Sequence, residues 1–261
     1  MRRKGRWTVL RAISNISSVA FIYRASNPSE IFFEIKDDGH PIKLVRRTLC
    51  PIGGNWIGES ARGDRGPLDT VRREIREELS LERPVRTWEL QAFGGESVDQ
   101  FAPTPISDLQ VTRDHLLSLS AVKEAINRML MPFGTYLNTV TKEAMTRADP
   151  GNTREGYTGL SCYWLAPLDE QTWHVLVKLQ SDFGNLSNES LTVMTNVHEI
   201  VERQICGAFA HERVLQRFFL AMGLQEAKRM PLTEGTASVC AGSALASYED
   251  YLEIYDVQKR P

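Results

Sequence analysis

Apolar positions recur along this chain with two different periods, and the changes of period outline its elements. Residues 17–23 (Ser-Ser-Val-Ala-Phe-Ile-Tyr) and 30–35 (Glu-Ile-Phe-Phe-Glu-Ile) are rich in β-branched and aromatic side chains, which suit a pleated, half-buried surface. Asn27-Pro28-Ser29 punctuates between them and predicts a strand pair with a short connection. Asp37-Asp38-Gly39 signals a second turn, a third strand is expected at 42–49, and Pro51-Ile52-Gly53-Gly54 stops it. From Pro67 the period becomes helical, with Leu68, Val71, Ile75 and Leu79 spaced by three and four. Pro67 suits the first turn, where its missing N–H costs nothing.

Further strands are expected at 86–93, 157–166 and 190–197. Residues 107–148 read as an inserted pair of helices. Leu119, Val122, Ile126, Met129 and Leu130 lie at helical spacing, Pro132-Phe133-Gly134 breaks the run, and Tyr136, Leu137, Val140 and Met145 form the second stripe. Val214, Leu215, Phe218, Phe219 and Met222 mark a closing helix from Ala208, ended by Gly223. Residues 235–247 are almost all Gly, Ala, Ser, Thr and Cys and read as a loose link. Beyond it Tyr248, Tyr251, Leu252 and Tyr255 form a short apolar helical stripe.

Composition narrows the classes. The 261 residues are 42% hydrophobic and 25% charged, which excludes global disorder and fibrous repeats. A net charge of −2 argues against a whole-molecule grip on nucleic acid; the basic start (Arg2, Arg3, Lys4, Arg6, Arg11) reads as a solvated arm. No apolar run approaches the ~18–20 residues that span a bilayer. The N-terminal stretch makes a poor signal peptide, so a cytoplasmic protein is expected. Cys50, Cys162, Cys206 and Cys240 are widely spaced and read as buried thiols.

The chemistry concentrates between Gly53 and Leu81. On a helix advancing about 100° per residue, with Glu74 at zero, Glu77 falls near about −60° and Glu78 near about +40°. Three carboxylates then share a stripe beside the core face, centred at about +105°. They repel one another and raise each other's pKa unless a cation joins them. Carboxylate oxygens suit a hard divalent cation such as Mg²⁺, which binds few carboxylates and keeps several waters for substrate phosphates. The Gly-Gly pair before the helix lets a ligand approach the backbone. Arg73 is placed to pair with Glu59 or Glu77 and pin loop to helix.

At these residues the chain resembles the Nudix hydrolase family, whose signature is G-x5-E-x7-R-E-U-x-E-E-x-G-U with U aliphatic. Gly53-x5-Glu59 matches the first half, and Arg73-Glu74-Ile75-Arg76-Glu77-Glu78-Leu79-Ser80-Leu81 matches the second except at one position. Thirteen residues instead of seven separate Glu59 from Arg73, and Ser80 stands where the family has glycine. If the helix ended at Ser80 in a left-handed turn, serine would cost roughly 1 kcal/mol over glycine.

The resemblance implies an α/β (α+β) fold, a Nudix-like mixed sheet sandwiched between helices, here with the helical insertion. The domain would span 1–230, with a linker and tail at 231–261. It implies hydrolysis of a pyrophosphate bond in a nucleoside diphosphate derivative, with Mg²⁺ or Mn²⁺ as cofactor. Glu74 and Glu78 become the principal metal ligands, Glu77 a ligand or a partner of Arg73, with a backbone carbonyl from Gly53, and Glu59 and Arg73 become structural supports. A late-loop acid, Glu199 or Glu202, would add a base or a further ligand, a solvated loop or helix acid being the equal alternative for each.

Around this centre Arg46 or Arg47, alternating on the strand entering the glycines, is a candidate phosphate contact, a solvated edge being the equal alternative. Trp56 is a candidate base-stacking residue or a packed loop aromatic. His198 is a candidate substrate contact or a surface residue, and His211-Glu212 reads as helix-terminal. A non-catalytic nucleotide-binding or regulatory module is the rival reading. The insertion either covers one side of the cleft, forms a homodimer contact, or packs on its own domain.

Overall fold

The computed structural model describes residues 13, 15–36, 38, 40, 42–84, 103–105, 109–153 and 155–245. The fold is mixed α/β, with helices on both faces of an eight-stranded sheet. Strand β1 (Asn15–Arg24) runs through its middle, parallel to β8 (Gly156–Leu168) on one side. On its other side β1 divides its partners. Its first half pairs antiparallel with β4 (Ile52–Trp56), and its end pairs with β2 (Asn27–Ile35). Beyond β2 lie β3 (Leu49–Cys50) and β9 (Leu191–Asn196), and beyond β8 lie β7 (Met131–Thr141) and β10 (Thr236–Gly242). A separate pair joins β5 (Glu82–Pro84) to β6 (Pro103–Pro105).

Strand alternation sorts β1 between two cores. Ala20 and Ile22, with Phe32, Ile52 and Trp164, face helices α2 (Pro67–Glu78), α3 (Arg113–Met129) and α5 (Glu170–Phe183). Val19, Phe21 and Tyr23, with Ile31, Phe33 and Tyr163, face α6 (Val197–Glu202) and α7 (His211–Ala221). Val71, Ile75 and Leu79 are fully buried, and at ~1.5–3 kcal/mol each they hold α2 against the sheet.

Several expectations are corrected. The second inserted helix is strand β7, followed by the short helix α4 (Lys142–Ala148). Tyr136 and Val140 are four apart, a spacing that fits one face of a strand as well as one face of a helix, and the Thr- and aromatic-rich content decides for the strand. The small-residue segment is no loose link, because β10 pairs with β7 from Thr236↔Val140 to Cys240↔Tyr136. The strand expected at 42–49 is a 3₁₀ turn, Lys43–Val45, ahead of the two-residue β3. Gly53-Gly54 stops no strand, since both lie inside β4. Asn27-Pro28-Ser29 opens β2, and the turn is Ala25-Ser26. Cys240 is exposed and Cys206 half-buried, against the expectation of buried thiols.

Helix α5 has no counterpart in the sequence reading. Its signals are an Asp169 N-cap that accepts from the Thr172 amide at 2.8 Å, buried Trp173, Leu176, Leu179 and Phe183, and a left-handed Gly184. The strand expected at 86–93, the basic start and the 248–255 stripe lie outside the described residues.

Candidate active site

Helix α2 and strand β4 meet at the two glycines. Gly53 has φ +142°, and a Cβ there would sit 2.1 Å from the Ser18 carbonyl oxygen, so only glycine lets β4 lie this close to β1. A Cβ on Gly54 would sit 2.3 Å from Glu74 Oε1. The pair therefore opens the sheet surface to the acids of α2, and the Gly53 amide donates to Glu78 Oε2 at 3.2 Å.

The three α2 acids take different surroundings. Glu78 is 3% exposed. Burial pushes its carboxyl well above the usual range, the charges of Glu34, Glu189 and Glu74 push it further, and Lys36 opposes them. Glu74 is also raised, first by burial and then by Glu77 and Glu189, while Arg73 pulls it down. Its Oε1 lies 2.9 Å from Arg73 Nη2. Glu77 is half-exposed and pairs with Arg73 Nη1 at 2.7 Å. The single stripe of three converging carboxylates is thus corrected. Glu74 and Glu78 stay electrostatically joined, Glu77 turns to the arginine, and among the described residues no group of three acid, His or Cys side chains is gathered to hold a metal.

Arg73 is the hub of the loop, as its charge-bearing fork predicts, but its main partner differs from the expected one. It binds Asp64 through Nε and Nη2, at 3.0 and 2.9 Å from Oδ2. Asp64 is buried, accepts from Thr70 Oγ1 at 3.1 Å, and offers its carbonyl to Trp56 Nε1 at 2.9 Å. Burial pulls the guanidinium pKa down, but Asp64, Glu77 and Glu74 outweigh it and hold it up. Glu59 is exposed at the start of α1 (Glu59–Arg62). The lengthened loop therefore supplies its own acid, and Trp56 is committed to holding that loop.

Beneath Glu78 lies a polar cluster that sequence reasoning missed. Glu34 is 1% exposed and shares the phase of Phe32, so the pleat turns it toward α2. Its Oε2 meets Lys36 Nζ at 3.0 Å and its Oε1 accepts from Ser187 Oγ at 2.7 Å. Lys36 also donates to Ser190 Oγ at 3.0 Å. Burial works against the Lys36 ammonium, but Cys50, Glu34 and Glu78 more than offset it and raise its pKa. Burial pushes the neighbouring Cys50 thiol up to about 12, which leaves it inert. The readable signal was an acid on the inward phase of a strand.

The loop 184–190 crosses the C-terminal end of α2. Asn188 N donates to the Glu78 carbonyl at 3.0 Å, Asn188 Nδ2 to the Glu77 carbonyl at 2.9 Å, and Ser80 N to the Leu186 carbonyl at 2.9 Å. The two Asn188 bonds satisfy the Glu77 and Glu78 carbonyls of α2 without a left-handed cap. Leu79 is extended at φ −71°, ψ 113°, and Ser80 is not among the positive-φ residues. The turn that would favour glycine at Ser80 is absent.

Other candidates are engaged elsewhere. Glu199 accepts from Thr195 Oγ1 at 2.9 Å and its amide donates to Asn196, so it serves the start of α6. The late-loop acid whose charge reaches Glu74 and Glu78 is Glu189. Glu202 pairs with His198 Nε2 at 3.0 Å, and His198 also meets Glu226 at 2.9 Å, an exposed pair that raises the imidazole pKa. Arg46 and Arg47 sit in a turn instead of a strand. Arg46 donates to the His40 carbonyl, and Arg47, at φ +58°, holds Asp38 through two bonds on the surface. His211 and Glu212 open α7 as expected, but both are buried, and instead of capping the helix His211 meets Tyr163 Oη while Glu212 Oε1 accepts from the Thr233 amide and Thr236 Oγ1.

By type the carboxylates of Glu74 and Glu78, which the charge of Glu189 also reaches, suit a hard divalent cation that would relieve their repulsion, although among the described residues no three such groups are gathered. No helix of the described residues is long and apolar enough to cross a membrane. No protein-family model matches the chain, and no curated protein matches it. Among solved structures, the crystal structure of a NUDIX hydrolase from Alicyclobacillus acidocaldarius is similar over 72% of this chain and 82% of that chain, at 12% identity and a TM-score of 0.35.

Proposed function

We propose that the chain is a divalent-metal-dependent hydrolase of the Nudix type, acting on the pyrophosphate bond of a nucleoside diphosphate derivative in the cytoplasm. The observation that carries this reading is the buried Glu78, held to the Gly53 amide and sharing its electrostatic field with Glu74 and Glu189. Clustering ionised carboxylates in a buried place is costly without a cation to use them. Mg²⁺ or Mn²⁺ held by Glu74, Glu78 and Glu189 would supply charge neutralisation and an activated water. The residues of this chain would do the rest. Arg73 fixes the loop through Asp64, the glycine pair keeps the approach clear, and the bonds from loop 184–190 hold the acids in register.

A second reading, a nucleotide-binding module without efficient hydrolysis, is favoured by one observation. Glu74 is bound by Arg73 and no three ligands are gathered. A phosphate-release screen over nucleoside triphosphates, dinucleoside polyphosphates, nucleotide sugars and ADP-ribose, with and without Mg²⁺ or Mn²⁺, decides between them. Metal-dependent turnover lost in Glu78→Gln supports the hydrolase, and tight nucleotide binding without turnover supports the module.

A further inference from the structure

We infer that Lys36 and Glu34 form a latch that positions Glu189 beside Glu74 and Glu78, making Lys36 a positioning residue of the site. The inference deepens the proposed function and rests on it for the role of the positioned acids.

The latch is a closed ring of bonds between the end of β2 and loop 184–190. Glu34 receives Ser187 Oγ at 2.7 Å on one oxygen and Lys36 Nζ at 3.0 Å on the other. Lys36 closes the ring on Ser190 Oγ at 3.0 Å. Between those two serines stands Glu189, whose amide donates to Ser187 Oγ at 3.2 Å, as does the amide of Ser190. The four-residue span Ser187–Ser190 that contains Glu189 is thus fixed at both ends by charge-assisted bonds, which are about twice as strong as neutral ones.

Burial makes the arrangement specific. Glu34 is 1% exposed, and the Lys36 side chain is 15% exposed. Neither is a solvated surface pair, and each bond is sheltered from screening. On its other side the loop is tied to α2 through Asn188 and Ser80. Glu189 itself is exposed, and its charge is felt by both Glu74 and Glu78. The loop is held from below and from one flank, while its acid stays free to meet a ligand.

Charge sign separates positioning from simple electrostatics. Lys36 is a cation beside Glu78, so removing its charge alone should tighten divalent binding. Removing the latch should weaken it by releasing Glu189.

The experiment measures Mn²⁺ affinity by electron paramagnetic resonance, and amide exchange of residues 186–190, in the full chain. Lys36→Met should weaken Mn²⁺ about tenfold, in the range seen when groups that orient metal ligands are lost, and should speed exchange of the Glu189 and Ser190 amides. In a Glu189→Gln background it should weaken Mn²⁺ no further, because coupled residues are non-additive. Ser190→Ala, which removes one bond of the ring, should shift both readouts in the same direction by less, and serves if Lys36→Met does not fold. Tighter or unchanged Mn²⁺ binding in Lys36→Met, or full additivity with Glu189→Gln, overturns the inference. If the parent protein binds no Mn²⁺, the proposed function fails on its own. The latch is then decided by exchange alone: faster loop exchange in the variants upholds it and unchanged exchange ends it.

Discussion

The Gly53 amide donates to Glu78 Oε2 across 3.2 Å, joining the glycine pair of β4 to the last turn of α2. The bond holds a buried carboxylate where its charged form is disfavoured by burial and by Glu34. A raised folded pKa means that ionised Glu78 lowers stability at every pH above its unfolded value. Glu78→Gln keeps the shape and removes the charge. The variant should therefore melt higher than the parent at pH 7.5 without metal, by about 2–4 °C per kcal/mol relieved, and should lose this advantage below about pH 4.5, where unfolded glutamate is itself protonated. Divalent-dependent hydrolysis should fall at least about a hundredfold in the same variant. Thermal melts across pH without metal check the first half, and phosphate release with and without Mn²⁺ checks the second.

The two glycines should respond differently to alanine. At Gly53 the new Cβ meets the backbone of Ser18 and Val19, and φ is +142°, so neither partner can yield. Gly53→Ala should cost more than about 3 kcal/mol. At Gly54 the clash is with the end of the Glu74 side chain, which can swing away. Gly54→Ala should fold with a loss near about 1 kcal/mol or less and weaken Mn²⁺ binding by displacing Glu74. Chemical denaturation separates the pair. Equal destabilisation would mean that β4 does not lie as close to β1 as described.

What the sequence made readable follows from where local and tertiary signals agree. Helix α2 carried a 3–4 apolar period, a first-turn proline and an acid stripe, all pointing one way, and its bounds match. β7 reads as a helix because Tyr136 and Val140 satisfy either period, and its Thr and aromatic content together with pairing to β8 and β10 resolves the ambiguity. β10 was unreadable for a related reason. Small residues bury little by themselves, and the strand is held by backbone pairing with β7 and by Arg217, which donates to the Ser238 carbonyl at 2.7 Å. In the site, Glu74, Glu78 and Arg73 stood out by spacing on one helix. Asp64, Glu34, Lys36 and Glu189 come from a loop, a strand end and a second loop. Only the folded chain brings them to α2, so apart from the inward strand phase of Glu34 no spacing rule could announce them.

Ser80 illustrates the limit of motif reasoning. Where a helix ends in a left-handed turn glycine is preferred, but here α2 ends at Glu78 and its carbonyls are taken by Asn188. Ser80→Gly should bring no stabilisation. The backbone there is tied by its amide to the Leu186 carbonyl, so added unfolded-state freedom should lower stability by up to about 1 kcal/mol. A rise in melting temperature would mean that Ser80 adopts a positive φ after all.

The opposite face of the sheet carries a titrating pair with a testable pH signature. Glu212 is 1% exposed, and burial pushes its carboxyl up to about 7, against hydrogen bonds from Thr236 and the Thr233 amide. His211 beside it is buried against Tyr163, and burial, with Lys36 adding, pulls its imidazole down to about 3. For Glu212 the folded state keeps a proton that the unfolded state has lost between about pH 4.5 and 7, so stability falls as pH rises through that window. For His211 the unfolded state holds the extra proton between about pH 3 and 6.5, so stability rises with pH there. The two slopes cancel between about 4.5 and 6.5, which hides them in the parent protein. Glu212→Gln removes one slope and unmasks the other. The variant should grow more stable from pH 4.5 to 6.5 where the parent's pair contributes nothing, and its stability relative to the parent should be higher at pH 8 than at pH 4.5 by on the order of 3 kcal/mol. Denaturant unfolding at pH 4.5, 6.5 and 8 reads this difference. Parallel curves for the two proteins would show that Glu212 is ionised in the fold at ordinary carboxylate pH and that its second oxygen, which has no hydrogen-bond partner among the described residues, is hydrated.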